Sequence, residues 1–217
     1  MLARMADSRE PDSLAAHFRR KRFAFFMELV TRVHRPMRIL DVGGTQSFWQ
    51  SARFTSPEDI NVTLLNVSKE ETSLPNFTSV VGDARRMEFE DQSFDVVFSN
   101  SVIEHVGTYD DQARMAREIR RVGKRYFVQT PNKYFPIEPH FIFPAFQFLP
   151  LGLRIWLLRH MALGSYKRVS DYETAKRQVE NVQLLSRRQF QALFPTAKLQ
   201  IETFCGLAKS FTAHDGW

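Results

Sequence analysis

The sequence contains one cysteine, Cys205, among its 217 residues. A single thiol cannot form an internal disulfide, and the sequence has no Cys-x-x-Cys pair or Cys/His cluster with the spacing of a zinc site. Its first residues also lack an apolar run of the length found in secretory signal peptides. We therefore expect a protein of a reducing compartment, the cytoplasm.

Glycine is scarce as well, with 9 residues against 20 phenylalanines. The G-x-G-x-x-G spacing of dinucleotide-binding turns is absent, which argues against a nicotinamide-dependent oxidoreductase. Phenylalanine in such excess favours a broad apolar pocket in addition to a hydrophobic core.

Acidic residues are fewer than basic ones, 24 against 30, so the formal net charge is +6. Such an excess favours anionic partners. Much of it lies in the runs 19–22 and 117–125, and basic runs of this kind are typical of a solvated helix face. Because no RNA-binding module is recognisable, the sequence favours a small-molecule partner over a nucleic acid.

No uninterrupted apolar stretch is long enough to predict a membrane span. The segment 141–158 is the most hydrophobic, but Pro144, Pro150, Gly152 and Arg154 interrupt it. We interpret this segment as part of an inserted helical cap, at about 133–185, that covers an apolar substrate. Peripheral contact with a membrane surface is the alternative interpretation.

What the sequence does contain is a strand, a glycine turn and a helix start in residues 38–49, Arg-Ile-Leu-Asp-Val-Gly-Gly-Thr-Gln-Ser-Phe-Trp. The apolar run ends at Asp41, and Gly43 and Gly44 interrupt the pattern before an amphipathic segment begins. Glycine lets a backbone approach a ligand where a Cβ atom would collide with it. This layout is typical of a nucleotide-binding turn.

Further strands and helices alternate after this turn. Strands are predicted at 61–66, 78–81, 94–99, 125–129, 198–204 and about 207–211. Helices are predicted at 12–34, as a possible lid, at 109–122 and near 186–193. This alternation predicts one domain, 1–217, with a mostly parallel sheet.

Polar residues follow the ends of five predicted strands: Asp41, Asn66, Asp83, Asn100 and Asn132. The carboxyl ends of parallel strands meet at one edge of a sheet, where open α/β sheets bind their ligands. The five residues together therefore predict a ligand site along that edge.

These segments, in this order, resemble the class I S-adenosylmethionine-dependent methyltransferases, particularly the small-molecule group called type 11. The motifs that carry the resemblance are Ile-Leu-Asp-Val-Gly-Gly-Thr (39–45), Gly-Asp-Ala (82–84), Phe-Asp-Val-Val-Phe-Ser-Asn (94–100), Ile-Glu-His (103–105) and Thr-Pro-Asn (130–132). The resemblance implies an α/β fold, a Rossmann-like three-layer sandwich with a mostly parallel seven-stranded sheet and a final antiparallel strand. It also implies methyl transfer from S-adenosylmethionine.

The resemblance implies two groups of cofactor-binding residues. Those around the methionine part are Asp41, Gly43, Gly44, Thr45, Ser99 and Asn100. Those around the adenosine part are Asn66, Val67, Asp83 and Ala84. Asp41 would lie near the cofactor's ammonium group, and a carboxylate is a suitable partner for that charge.

Two departures from the family pattern affect this site. Thr45 and Ser47 stand where such turns usually carry glycine. Asn66 stands where an acidic residue usually binds both ribose hydroxyls, and an amide offers only one acceptor oxygen. We therefore expect weakened cofactor binding, which Asn66→Asp should tighten.

Three residues are predicted to be catalytic: Glu104, His105 and His140. Either histidine could take a proton from the acceptor at neutral pH, and Glu104 could orient one of them. The same residues are similar to an arrangement that holds a divalent metal in some small-RNA and ubiquinone-pathway O-methyltransferases. Ser101 replaces the first glutamate of that arrangement, and although Glu138 offers a substitute, we predict no metal site.

The aromatic residues of the predicted cap indicate the acceptor. Those expected to form its pocket are Tyr134, Phe135, Phe141, Phe143, Phe146 and Trp156. They favour a small hydrophobic, lipid-like or aromatic acceptor, methylated at oxygen. Two alternatives remain open: methylation of RNA, and a cofactor-fold interaction protein without turnover.

Overall fold

The computed structural model describes residues 13–52, 54 and 58–217. Its strands are β1 (Met37–Val42), β2 (Ile60–Asn66), β3 (Phe77–Val81), β4 (Val96–Asn100), β5 (Tyr126–Pro131), β6 (Ile137–Glu138), β7 (Phe143–Pro144), β8 (Lys198–Phe204) and β9 (Leu207–Asp215). Its α-helices are α1 (Leu14–Val30), α2 (Gln46–Ser51), α3 (Tyr109–Val122), α4 (Leu151–His160), α5 (Tyr172–Glu180) and α6 (Arg187–Leu193).

Seven of these strands form one sheet in the order β3-β2-β1-β4-β5-β9-β8. The first five are parallel, β9 is antiparallel to β5, and β8 is antiparallel to β9. The predicted α/β fold with a final antiparallel strand is confirmed. Strand order reverses between β1 and β4, so a crevice is expected at the carboxyl ends of these two strands.

Each face of the sheet carries its own hydrophobic core. On one face α1 and α2 cover the sheet, and Phe26 of α1 and Trp49 of α2 pack on Phe98 of β4. On the other face, α3 and α6 contribute Met115, Ile119 and other residues to the second core. Two cores separated by a sheet make three layers, as predicted.

The segment between β5 and α6, called the cap below, has a small core of its own. β6 and β7 pair as an antiparallel hairpin, and α4 packs on α5. The apolar run 141–158 therefore divides between β7, a 3₁₀ turn and α4 rather than forming one helix. Within the described residues no helix has both the length and the hydrophobicity to cross a membrane.

Local capping explains where several helices begin. The side chains of Ser13, Thr45, Thr108, Asp171 and Ser186 each accept a hydrogen bond from a backbone N–H in the first turn of the helix that follows. The helix predicted at 109–122 is found with those bounds. The one predicted at 12–34 ends at Val30, and residue 12 lies outside the described residues.

Candidate active site

The glycine turn after β1 is held by the ends of the neighbouring strands. The Gly43 N–H donates to the Leu65 carbonyl at 2.8 Å, and the Asn66 side-chain amide donates to the Gly44 carbonyl at 2.8 Å. One strand further out, the Gly82 N–H donates to the Asn66 carbonyl. The strand ends that sequence analysis singled out therefore meet at one edge of the sheet.

The turn requires glycine at two positions. Gly43 has a φ of +76°, and a Cβ atom there would lie 2.5 Å from the nearest side-chain atom of Val102. A Cβ atom on Gly44 would lie 1.7 Å from an Asp41 carboxylate oxygen. Thr45 takes no such conformation and instead caps α2, which explains why this turn tolerates threonine there.

Asp41 is a buried carboxylate with one oxygen unpaired. The Trp49 indole N–H donates to Oδ2 at 2.6 Å, whereas Oδ1 has no hydrogen-bond partner among the described residues. Burial raises the pKa of Asp41 to about 7, although the Trp49 hydrogen bond acts in the opposite direction. Such a group favours a ligand that brings a positive charge or a donor to Oδ1.

A cavity of about 530 Å³ opens beside this carboxylate. The predicted site residues that line it are Asp41, Gly43, Gly44, Thr45, Asn100 and His140. Its apolar lining includes Leu14, Phe18, Phe48, Phe98, Phe135, Ile137, Ile142 and Phe204. The cavity therefore joins the glycine turn to an apolar compartment under α1 and the cap.

The predicted aromatic pocket is largely wrong. Of its six residues, Phe135 lines the cavity. Phe141 and Phe146 stack on each other in the core of the cap, and Phe143 packs against that core. Tyr134 and Trp156 are 64% and 52% exposed. Phe141, Phe143 and Phe146 instead help to form the core between the hairpin and the cap helices.

The residues predicted around adenosine lie along the same sheet edge but do not line the cavity. Val67, directly after β2, is exposed, and Ala84 packs partly against the core. Asp83 forms a two-pronged ion pair with Arg85, whose hydrogen bond lowers the pKa of Asp83. Ser99 is buried and donates to the Val42 carbonyl. This hydrogen bond connects β4 to the last residue of β1, directly before the glycine turn.

The three predicted catalytic residues do lie together. The Nε2 atoms of His105 and His140 are 3.1 Å apart, and Glu104 Oε1 is 3.9 Å from His140 Nε2. Glu104 is fully buried, and its Oε2 accepts a hydrogen bond from Thr130. Glu138 joins the cluster through an oxygen 2.7 Å from His140 Nδ1.

Burial and neighbouring charges shift the pKa values of this cluster in different directions. Burial raises the pKa of Glu104. Burial and the His140 charge lower the pKa of His105 to about 4. Burial of His140 opposes its protonation, but the Glu138 hydrogen bond and charge outweigh that effect and raise its pKa. His140 is therefore the imidazole better suited to hold a proton at the cavity wall.

The cavity wall carries a cationic group that was not predicted from the sequence. Arg22 Nη1 lies 2.9 Å from both carboxylate oxygens of Glu202, and its Nε donates to Asn100 Oδ1 at 3.3 Å. Lys209 also pairs with Glu202 and lies 4.5 Å from the centroid of the Phe18 ring. The interpretation of 19–22 as a solvated helix face is wrong for Arg22, whose side chain is 14% exposed.

Comparison with known proteins gives matches to methyltransferases. Residues 41–126 match a family model described as a methyltransferase domain. Two uncharacterized proteins of Mycobacterium tuberculosis, from strains CDC 1551 and H37Rv, are each 36% identical over 75 residues, 35% of this chain. The aligned region spans 25% of the length of those relatives.

Solved structures share the fold. A methyltransferase from Aquifex aeolicus has a TM-score of 0.50 at 12% identity, with 87% of each chain covered. One from Methanosarcina mazei has a TM-score of 0.52 at 13% identity, covering 86% of this chain and 94% of the other. A protein from Pyrococcus horikoshii OT3 reaches 0.53 at 15% identity, with 94% and 91% covered. The first two are described as S-adenosylmethionine-dependent.

Proposed function

We propose that this chain transfers the methyl group of S-adenosylmethionine to a small acceptor with an apolar body, at oxygen. The match of residues 41–126 to a methyltransferase domain and the fold shared with methyltransferases support this proposal. The observation that carries this proposal is the unpaired Oδ1 of buried Asp41 beside a glycine turn. A cofactor with an ammonium group satisfies that oxygen.

The residues at the turn fit this cofactor. Asp41 would bind its ammonium group, while Trp49 fixes the other carboxylate oxygen in place. Gly43 and Gly44 leave the backbone open to close approach. Asn100 lines the same end of the cavity, and Arg22 holds its side-chain oxygen. The edge that continues past Asn66 to Val67, Asp83 and Ala84 would receive the adenosine.

The acceptor would occupy the apolar compartment under α1 and the cap. Phe18, Phe135, Ile137, Ile142 and Phe204 supply walls that exclude water and suit a hydrophobic or aromatic molecule. The cofactor supplies an electrophilic methyl group on a sulfonium, so this chain must chiefly align an acceptor atom with it.

His140 would contact the reacting oxygen of the acceptor. It is the one residue of the Glu104, His105 and His140 cluster that lines the cavity in the described structure. Removal of the hydroxyl proton makes oxygen a better nucleophile, and a positioned imidazole assists that removal. Glu138 fixes the orientation of the His140 ring through Nδ1.

Calorimetric titration with S-adenosylhomocysteine tests the cofactor site. The wild-type chain should bind it and should not bind NAD, and Asp41→Ala should weaken binding at least tenfold because the ammonium loses its partner. Asp59→Ala is the matched control, since Asp59 precedes β2 at the opposite edge of the sheet. Equal affinity in wild type and Asp41→Ala would contradict the proposal.

A further inference from the structure

Behind the cavity wall, two imidazoles and a carboxylate converge on one point. The potential ligand atoms of Glu104, His105 and His140 all lie within 4.8 Å of one another. The two Nε2 atoms are 3.1 Å apart, and Glu104 Oε1 is 3.9 Å from the nearer one. Bonds of about 2.0–2.2 Å to a single zinc-like ion bring nitrogen and oxygen ligands to comparable separations.

The cluster is short of positive charge and of hydrogen-bond partners. Glu104 is 0% exposed, and its Oε1 has no hydrogen-bond partner among the described residues. The Nε2 atoms of the two histidines share one hydrogen bond, in which one imidazole donates and the other accepts, and a bound ion would take the place of that hydrogen. A buried carboxylate is costly without a compensating cation. A divalent ion would satisfy all three atoms at once.

Glu138 prepares His140 to bind such an ion. One of its oxygens lies 2.7 Å from His140 Nδ1, which directs the Nε2 lone pair toward the cluster. Its other oxygen accepts from the backbone N–H groups of His140 and Phe141. Glu138 is thus a rigid outer partner of a ligand, and it does not replace the glutamate missing at Ser101, whose hydroxyl bonds Gln129.

We propose that Glu104 Oε1, His105 Nε2 and His140 Nε2 bind one divalent transition-metal ion. Two imidazoles and a single carboxylate suit Zn²⁺, Co²⁺ or Mn²⁺ better than Mg²⁺ or Ca²⁺, which prefer oxygen ligands. This inference replaces the prediction of no metal site, which depended on the missing glutamate at Ser101. Three protein ligands leave a coordination position open, and His140 places the ion at the cavity wall.

The catalytic consequence of the ion rests on the proposed function, with one change. Because His140 Nδ1 is held by Glu138 and Nε2 binds the ion, the ion replaces the free His140 imidazole as the group that assists loss of the hydroxyl proton. An acceptor hydroxyl bound at the open position loses its proton to water more readily, because the cation stabilises the oxygen anion. That oxygen forms a bond to the methyl carbon, and the electron pair of the broken carbon–sulfur bond stays on sulfur. The products are a methyl ether or ester, a neutral thioether and a released proton. The ion therefore selects oxygen acceptors.

Titration of the chelator-treated full chain with Co²⁺ tests the site, because the visible absorption of Co²⁺ reports its ligands. We expect one equivalent to bind, with the intense bands of four- or five-coordinate cobalt, and Zn²⁺ to displace it. Glu104→Gln and His105→Ala should each weaken binding at least 100-fold. Glu138→Gln should weaken it by about 10–100-fold, as outer-shell changes do. His160→Ala, in the cap but outside the cluster, should bind like wild type.

The same sample separates this inference from the proposed function. Circular dichroism first establishes that each variant is folded. If Glu104→Gln does not fold, the near-isosteric Glu138→Gln still tests the site. Failure of wild type to bind Co²⁺ or Zn²⁺, or equal affinity in the folded variants, overturns the metal site. If the wild-type chain binds S-adenosylhomocysteine but no metal ion, the metal site is wrong and the proposed function stands. If it binds the metal ion but not S-adenosylhomocysteine, the metal site stands and the proposed function is wrong.

Discussion

At Asp41, burial opposes ionisation of the carboxyl group, whereas the hydrogen bond from Trp49 favours the ionised form. Desolvation raises the pKa of this carboxyl to about 7. Trp49 donates to one oxygen, and Gly44 leaves room that any side chain would fill. The free chain thus holds a carboxyl that is half-ionised near neutral pH. A cationic ligand would pair with the free Oδ1 and lower the pKa of Asp41.

Asn66 has a structural role that its sequence position did not reveal. Its amide donates to the Gly44 carbonyl, so an aspartate would set an acceptor against an acceptor. In place of the tightening expected from sequence, we predict that Asn66→Asp weakens S-adenosylhomocysteine binding about tenfold. It should also lower the free energy of unfolding by about 1–2 kcal/mol.

Calorimetry and urea unfolding measure both effects of Asn66→Asp. Asn61→Asp is the matched control, because Asn61 is an exposed residue of the same strand and receives the same charge. Tighter binding by Asn66→Asp than by wild type would restore the original expectation and remove the Gly44 contact from the account.

Among the elements, α1 has two buried sides with different tasks. Phe23, Phe26 and Val30 pack on the sheet, whereas Phe18 and Arg22 line the cavity. Arg22 ties the helix to Glu202 on β8 and to Asn100 at the end of β4. Arg22 therefore connects α1 to two strands beside the cavity.

Removal of the Arg22 side chain should loosen this connection. We predict that Arg22→Ala lowers the free energy of unfolding by about 1–2 kcal/mol, because Glu202 loses a two-oxygen ion pair and keeps, among the described residues, its ion pair with Lys209 and a hydrogen bond from Ser210. Hydrogen exchange should become faster in α1, which urea unfolding alone would not reveal. Arg32→Ala, which removes an exposed pair with Glu28 near the same helix, should change stability by less than about 0.5 kcal/mol.

An unchanged exchange rate in α1 of Arg22→Ala would show that apolar packing alone holds the helix. In that case the ion pair with Glu202 contributes little to holding α1 in place.

Elements with strong local patterns were predictable from sequence, and the cap was not. The helix at 109–122 has a one-sided apolar face and a capping box at Thr108, so its bounds follow from local chemistry. In the cap, the same apolar residues could pack on each other or line a pocket. Phe141 and Phe146 pack on each other, whereas Phe135 lines the cavity. Which of the two happens depends on tertiary contacts.

The candidate site was predictable to a similar extent. Strand-end residues such as Asp41 and Asn100 were found because parallel strands end at one edge. The roles of Trp49, Glu138 and Arg22 depend on which helix or loop folds over that edge. No spacing in the sequence specifies that arrangement.

At the scale of the whole molecule, part of the excess of basic residues is paired with acidic side chains. Arg121 pairs with Glu118 and Asp91, Lys124 with Asp95, and Arg22 with Glu202. The run 117–125 is thus partly neutralised by acidic neighbours. This pairing favours the small-molecule acceptor over RNA, whose phosphates would have to compete with those carboxylates.

The pH dependence of S-adenosylhomocysteine affinity directly tests whether Asp41 binds the cofactor. Binding to the ammonium requires ionised Asp41, so affinity should rise as pH increases from 5 through about 7 and then level off. The rise should be about tenfold or more, with proton release near pH 6, and Asp41→Asn should bind weakly with little change. A flat profile for wild type, or the same rise in Asp41→Asn, would contradict the assignment of Asp41 as the cofactor's partner.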